Sequence, residues 1–279
     1  MKKLGLIAGG GNLPLSLAAH CRSADRGLFV LRLKGQAGPE MGRFEGVDVG
    51  LAELGKGFRA LRNAGCQSVC MAGYVARPDF RSLSPDLRGL AALPGAIMAA
   101  RRGDGALLQY LVREFEKEGF EVEGAHEVMG DLTLPEGPLG RHVPNAEHLA
   151  DIARALQVAR AVGALDVGQG AVCCDGLVLA VEAQEGTDSM LRRVAELPKA
   201  IRGEPGRPRG VLAKACMPQQ ETRGDLPTIG LATLNLAARA GLAGIAGEAG
   251  RTLLLDRDKV IALADDLGLF VVGIPTQPK

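Results

Sequence analysis

The chain has 279 residues, 47% of them hydrophobic, which is a globular composition with length enough for two cores. Lysine and arginine number 33 against 32 acidic residues, and aromatics are only 3%, so neither a basic field nor a stacking surface recruits nucleic acid. The 6 cysteines form no Cys-x-x-Cys pair, which argues against structural zinc, and no run of about 20 apolar residues is present to span a bilayer.

Residues 4–8 read as a buried strand, followed by Gly9-Gly10-Gly11-Asn12, a helical pattern over 13–24 and a second strand over 28–33. The glycines stand at the first turn of a β-loop-α-β unit, where backbone amides can approach a phosphate. The pattern is not a G-x-G-x-x-G fingerprint, because Pro14 interrupts it and Lys34, not an acid, closes the second strand. A mononucleotide or nucleotide diphosphate therefore fits better than a dinucleotide, and a tight turn without ligand fits as well. A helix over 55–64, a strand over 68–72 closed by Gly73, helices from 85 and from 104, and a short strand over 120–122 follow. Alternating strands and helices imply a parallel sheet covered on both faces, with ligands beyond the carboxyl ends of its strands. Gly10, Gly11, Asn12, Ala72 and Gly73 would share that rim and form a candidate substrate-binding set. His126 reads as a loop histidine satisfied by hydrogen bonds.

Residues 134–145 carry Pro135, Gly137, Pro138, Gly140 and Pro144 and read as a linker between a first domain, 1–133, and a second, 146–279. Asn145 caps a helix closing at Gly163. Two apolar runs joined by Asp175-Gly176 signal a hairpin. Residues 202–210 read as a flexible basic loop, and 211–215 as a strand. A polar loop then leads to a helix over 231–240, followed by strand, helix and strand to residue 272. The expected fold class is α/β in two domains: an N-terminal Rossmann-like parallel sheet and a C-terminal α/β domain with a mixed sheet.

The chemistry concentrates in two strand-to-helix turns of the second domain. One is Val181-Glu182-Ala183-Gln184-Glu185-Gly186-Thr187-Asp188, where Gly186 permits a sharp turn and Thr187 can cap the helix. The other carries Lys214, Gln219, Asp225 and Thr228, with Asp225 or Thr228 as the cap. Carboxylates beside helix N-termini suit a metal-bound phosphate. The expected Mg²⁺ ligands are Glu185, Asp188 and Asp225. Lys214 would offset phosphate charge, and Gln169, Gln184, Thr187 and Thr228 would contact substrate. Asp225, Asp188 and Lys214 are the catalytic candidates. The same residues serve equally as capped helices with solvated acids. Neither a Cys-His pair nor a G-x-S-x-G elbow is present for acyl chemistry.

Several blocks carry a resemblance: Leu4-Gly5-Leu6-Ile7-Ala8-Gly9-Gly10-Gly11, Glu123-Gly124-Ala125-His126-Glu127, Gln169-Gly170, Glu182-Ala183-Gln184-Glu185-Gly186-Thr187-Asp188 and Asp225-Leu226-Pro227-Thr228-Ile229-Gly230. In this order they resemble the LpxI family, the UDP-2,3-diacylglucosamine pyrophosphatases of lipid A biosynthesis. The resemblance implies Mg²⁺-dependent hydrolysis to UMP and 2,3-diacylglucosamine 1-phosphate (lipid X), with water attacking the β-phosphorus. It also implies a cytoplasmic, homodimeric enzyme of a Gram-negative bacterium, and peripheral contact with the inner membrane is compatible with it. Asp225 falls on the family's essential aspartate. The first domain would then take the uridine nucleotide, and the second the diphosphate, metal and glucosamine. The rival readings are a non-catalytic nucleotide-sugar or glycolipid carrier and a nicotinamide-dependent oxidoreductase, the latter opposed by the broken fingerprint.

Overall fold

The computed structural model describes residues 1–76, 79–80, 82–217, 223–224 and 226–276. They fall into two compact units, one of the described residues up to 130 with 223–224, the other of residues 131–217 and 226–276.

The first unit contains β1 (Leu4–Ala8), α1 (Leu13–Ser23), β2 (Leu28–Leu33), β3 (Gly46–Val49), α2 (Leu54–Asn63), β4 (Ser68–Ala72), α3 (Leu87–Ala100), α4 (Asp104–Lys117), β5 (Glu121–Val122) and the short α5 (Ala125–Val128). Its sheet has the order β3-β2-β1-β4-β5, and every pair in it is parallel. The apolar runs alternate faces with period two. Ile7, Leu31, Val49 and Val69 pack with Phe58 of α2 and Phe115 of α4, where Phe58 and Phe115 meet edge to face at 5.1 Å. Leu17, Ala18 and Cys21 of α1 are buried beside β1 and β2. Glu123 and Arg26 form a largely buried pair, 2.6 Å apart, that ties the end of β5 to the turn before β2.

The second unit contains β6 (Gly137–Leu139), α6 (Ala146–Ala164), β7 (Gly170–Cys174), β8 (Leu177–Val181), α7 (Gly186–Ala195), β9 (Val211–Lys214), β10 (Thr228–Ile229), α8 (Leu231–Arg239), β11 (Gly244–Glu248), β12 (Leu253–Leu254), α9 (Arg257–Leu267) and β13 (Phe270–Ile274). Its main sheet runs β6-β13-β11-β9-β7-β8. The pairs β13–β11 and β11–β9 are parallel, while β6 and β7 pair antiparallel with their neighbours, so the sheet is mixed. Val172, Leu212, Ile245 and Val271 pack with α7, α8 and α9 on one face, and Ala171, Ala213 and Phe270 with α6 on the other.

Two local readings change, and a third holds. The stretch 134–145 is not a bare linker: Leu134 is buried in the second core, and β6 pairs with β13 at the sheet edge. Pro138 is tolerated there because an edge strand needs donors on one side only. Residues 202–210 are not simply a flexible basic loop either, since Arg202 is buried. Its guanidinium donates to the carbonyls of Ala195 (2.7 Å), Leu197 (2.8 Å) and Gly203 (2.7 Å), so it closes the end of α7, where carbonyls lack helical partners. The Asp175-Gly176 hairpin forms as read, with both residues at positive φ (51° and 78°). Buried Asp151 of α6 accepts the amides of Asp175 (2.9 Å) and Gly176 (2.7 Å) and so clamps the turn.

Candidate active site

In the first unit β1 lies between β2 and β4, so the loops leaving β1 and β4 diverge at the point where strand order reverses, a usual ligand position. Here the two loops are stitched to each other. Gly10 N donates to Tyr74 O (2.7 Å), Tyr74 N to Gly10 O (2.9 Å) and Gly9 N to Ala72 O (2.9 Å). Gly73 has φ +91°, and a Cβ on it would stand 2.4 Å from Gly10 O and 2.8 Å from Pro14 Cγ. A Cβ on Gly9 would meet Tyr74 O at 2.6 Å. These glycines are thus required by the close approach of two backbones. The Gly10 amide, expected to face a phosphate, is spent on the bridge. Gly11 (φ +84°) and Asn12 remain exposed at the start of α1, Gly73 is exposed and Ala72 is buried. Lys34, which follows β2, pairs with Glu53 at 3.1 Å. His126 sits on α5, and its Nδ1 is buried without a hydrogen-bond partner among the described residues, contrary to the expected satisfied loop histidine.

In the second unit β8, β9, β11 and β13 share one direction, and their carboxyl ends carry Glu182, Lys214 and Glu248. All three side chains are buried. Lys214 follows Leu212 by two residues and Glu182 follows Ala180 by two, so strand alternation sends both to the α7–α8 face. There Lys214 Nζ donates to Thr187 Oγ1 (2.9 Å) and to Thr228 O (3.0 Å), and the Thr187 hydroxyl donates to Glu182 Oε1 (2.8 Å). A hydroxyl therefore links the ammonium to the carboxylate. Glu182 Oε2 is buried and has no hydrogen-bond partner among the described residues. Gly168 and Gly170 make room for this residue: a Cβ would stand 2.1 Å from Glu182 O and 2.5 Å from Glu182 Oε2, respectively.

The other expected site residues are placed differently. Thr187 is not the cap of α7, because Glu185 occupies the N-cap position without a side-chain cap bond. Thr228 lies in β10 and does not cap α8, which begins after Gly230. Glu185 pairs with Arg193 at 2.7 Å, and its carboxyl is held below the usual range by its own backbone amide and then by Arg193. Asp188 and Gln184 are exposed, and Gln169 is half-buried with its carbonyl accepting Ala215 N at 2.9 Å. Asp225 and Gln219 lie outside the described residues. Among the described residues, no three His, Cys, Asp or Glu side chains gather into a metal-binding group. Of the acids on the 181–188 turn, Glu182 is the one that fits a hard cation: its oxygen is buried and unpartnered, and Mg²⁺ can be held by one or two carboxylates together with substrate phosphates. Reading the turn by its exposed acids missed Glu182; the period-two register of β8 was the signal that points to it.

Glu248, also missed, occupies the α6 face of the same rim. It accepts from Arg160 Nε (2.8 Å) and Cys216 N (3.0 Å), fixing the chain as it leaves β9. The cysteines are buried, as read. Burial pushes the Cys70 thiol up to about 12, and burial with the Asp151 hydrogen bond does the same to Cys173, so neither is a ready nucleophile.

Two α/β units, the first parallel and the second mixed, with buried charge at a carboxyl rim, make this a two-domain α/β protein. The LpxI N-terminal domain matches residues 3–132 and the LpxI C-terminal domain residues 135–272, so the chain belongs to the LpxI family. A protein of Caulobacter vibrioides, UDP-2,3-diacylglucosamine pyrophosphatase LpxI, is 64% identical over 279 residues, covering 100% of both chains.

Proposed function

We propose that this chain hydrolyses the diphosphate of UDP-2,3-diacylglucosamine in lipid A biosynthesis, giving UMP and 2,3-diacylglucosamine 1-phosphate. The observation that carries this reading is the full-length, 64% identity to a pyrophosphatase of that substrate. In the reaction a water oxygen bonds to the β-phosphorus while the bond from that phosphorus to the bridging oxygen breaks. UMP leaves with the bridging oxygen, and the water proton passes to solvent. Lys214 is suited to offset the charge that grows on the phosphoryl oxygens, and Thr187 transmits its orientation to Glu182. Glu182 would hold Mg²⁺, which when bound polarises a phosphoryl oxygen. Asp225, the family's aspartate by resemblance, is the first catalytic candidate. The protein would act in the cytoplasm as a homodimer; sedimentation of the pure protein tests the dimer.

Incubation with UDP-2,3-diacylglucosamine and Mg²⁺ should yield UMP and the 1-phosphate in equal amounts, and ¹⁸O-water should label the lipid phosphate. Asp225→Ala should lower turnover at least about 10²–10³-fold. Substrate that binds and is recovered intact from the wild type would instead favour a carrier.

A further inference from the structure

Helix α3 buries only small residues and leaves several large ones exposed. Between Arg88 and Arg101 it carries no polar side chain, only Gly, Ala, Leu, Pro, Ile and Met. A surface helix ordinarily turns its large apolar residues inward. In α3 the buried positions are Gly89, Ala92 and Ala100. Gly95 leaves room for Tyr110, whose ring would lie 2.7 Å from a Cβ there and whose hydroxyl donates to Ala92 O at 2.9 Å. Three of its large side chains face water instead, Leu87 at 89% exposed, Met98 at 69% and Leu90 at 57%, while Leu93 and Ile97 are half-buried. With exposed Ala91 and Pro94 they follow the i, i+3, i+4, i+7 spacing of one helix stripe. The stripe is about 17 Å long at 1.5 Å per residue and continues into Arg101 and Arg102, both exposed.

An uncharged ridge of this kind is matched by a medium that is apolar in depth, and the arginine pair sets the sign of the charge above it. We propose that α3 docks this chain onto an anionic lipid bilayer. Leu87, Leu90 and Met98 would enter the boundary between headgroups and acyl chains, to a depth of about 5–10 Å, while Arg101 and Arg102 meet lipid phosphates. The biological reason rests on the diacyl substrate proposed above, a molecule held in a membrane, whereas no described helix is long and apolar enough to cross one.

The test is sedimentation of the full chain, without substrate, with vesicles of phosphatidylethanolamine and phosphatidylglycerol or of phosphatidylcholine alone. Wild type should bind the anionic vesicles preferentially. Leu90→Glu with Met98→Glu, both at exposed positions, should weaken binding at least about tenfold while circular dichroism is unchanged. Arg101→Glu with Arg102→Glu should weaken it by about fivefold per arginine on the anionic vesicles only. The apolar variant should also hydrolyse substrate normally in detergent micelles and poorly in vesicles. Wild type that stays in the supernatant, or variants that bind like wild type, would overturn the proposal. So would an apolar variant that loses self-association and keeps vesicle binding, since a second copy would then cover the ridge. Vesicle binding lost by the variants, with no micellar hydrolysis by wild type, would refute the activity and leave the docking surface standing.

Discussion

The carboxyl rims of the two units solve the same packing problem with different materials. In the first, two glycine turns close on each other through main-chain hydrogen bonds, and no charged side chain is needed. In the second, the rim buries an ammonium and two carboxylates. Burying charge is unfavourable unless it is paired, so its retention calls for a reason beyond packing. Glycine at the first rim answers a steric demand; Glu182 and Lys214 at the second form a buried pair joined by the Thr187 hydroxyl, which the proposed function puts to chemical use.

The strongest way to break that contrast is Lys214→Met. Turnover should fall about 10²–10³-fold, checked by steady-state kinetics beside a thermal melt, and a variant with normal kcat would make the second rim merely structural. Glu182→Gln should lower turnover about tenfold to a hundredfold and weaken Mn²⁺ binding read by electron paramagnetic resonance, because the amide keeps the shape and loses the charge. In the first unit the expected losses are of stability. Gly73→Ala combines φ +91° with a 2.4 Å approach to Gly10 O and should destabilise by about 2–3 kcal/mol in urea melts. Glu123 sharpens the comparison by pH. Burial would raise its carboxyl, but the hydrogen bonds from Arg26 and Ser68 outweigh burial and lower it from 4.5. Its contribution is therefore full above that pH and is lost as pH falls through the depressed folded value. Arg26→Met should be destabilised by about 1–2 kcal/mol at pH 7 and converge toward wild type in acid. Gly11→Ala should show the smallest change, about 1 kcal/mol or less, since φ +84° is strained but the space beside it is open.

Much of the fold was legible because it is written locally. Apolar runs, glycine closures and the Asp175-Gly176 turn marked strands and hairpin at short range. Strand order depends on pairings between distant segments and was open. Pro138 misled toward a linker because a proline that breaks an interior strand is harmless on an edge. At the candidate site, the turn 181–188 was found for its acids, yet Glu185 and Asp188 stand on the helix surface while Glu182 continues the strand register inward. Lys214 was found, but not that a threonine would join it to that acid. Those contacts depend on how far each strand extends before it turns, which composition does not record.

The Arg202 clamp limits how this protein can be re-engineered. Because it anchors α7 at its far end, α7 behaves as a stiff lever whose near end carries Thr187. Adding one residue inside α7 would rotate everything beyond it by about 100°, so the anchor and the threonine could not both keep their orientation. Chimeras that exchange loops in this region should therefore preserve the spacing from Thr187 to Arg202 before they preserve any side chain between them.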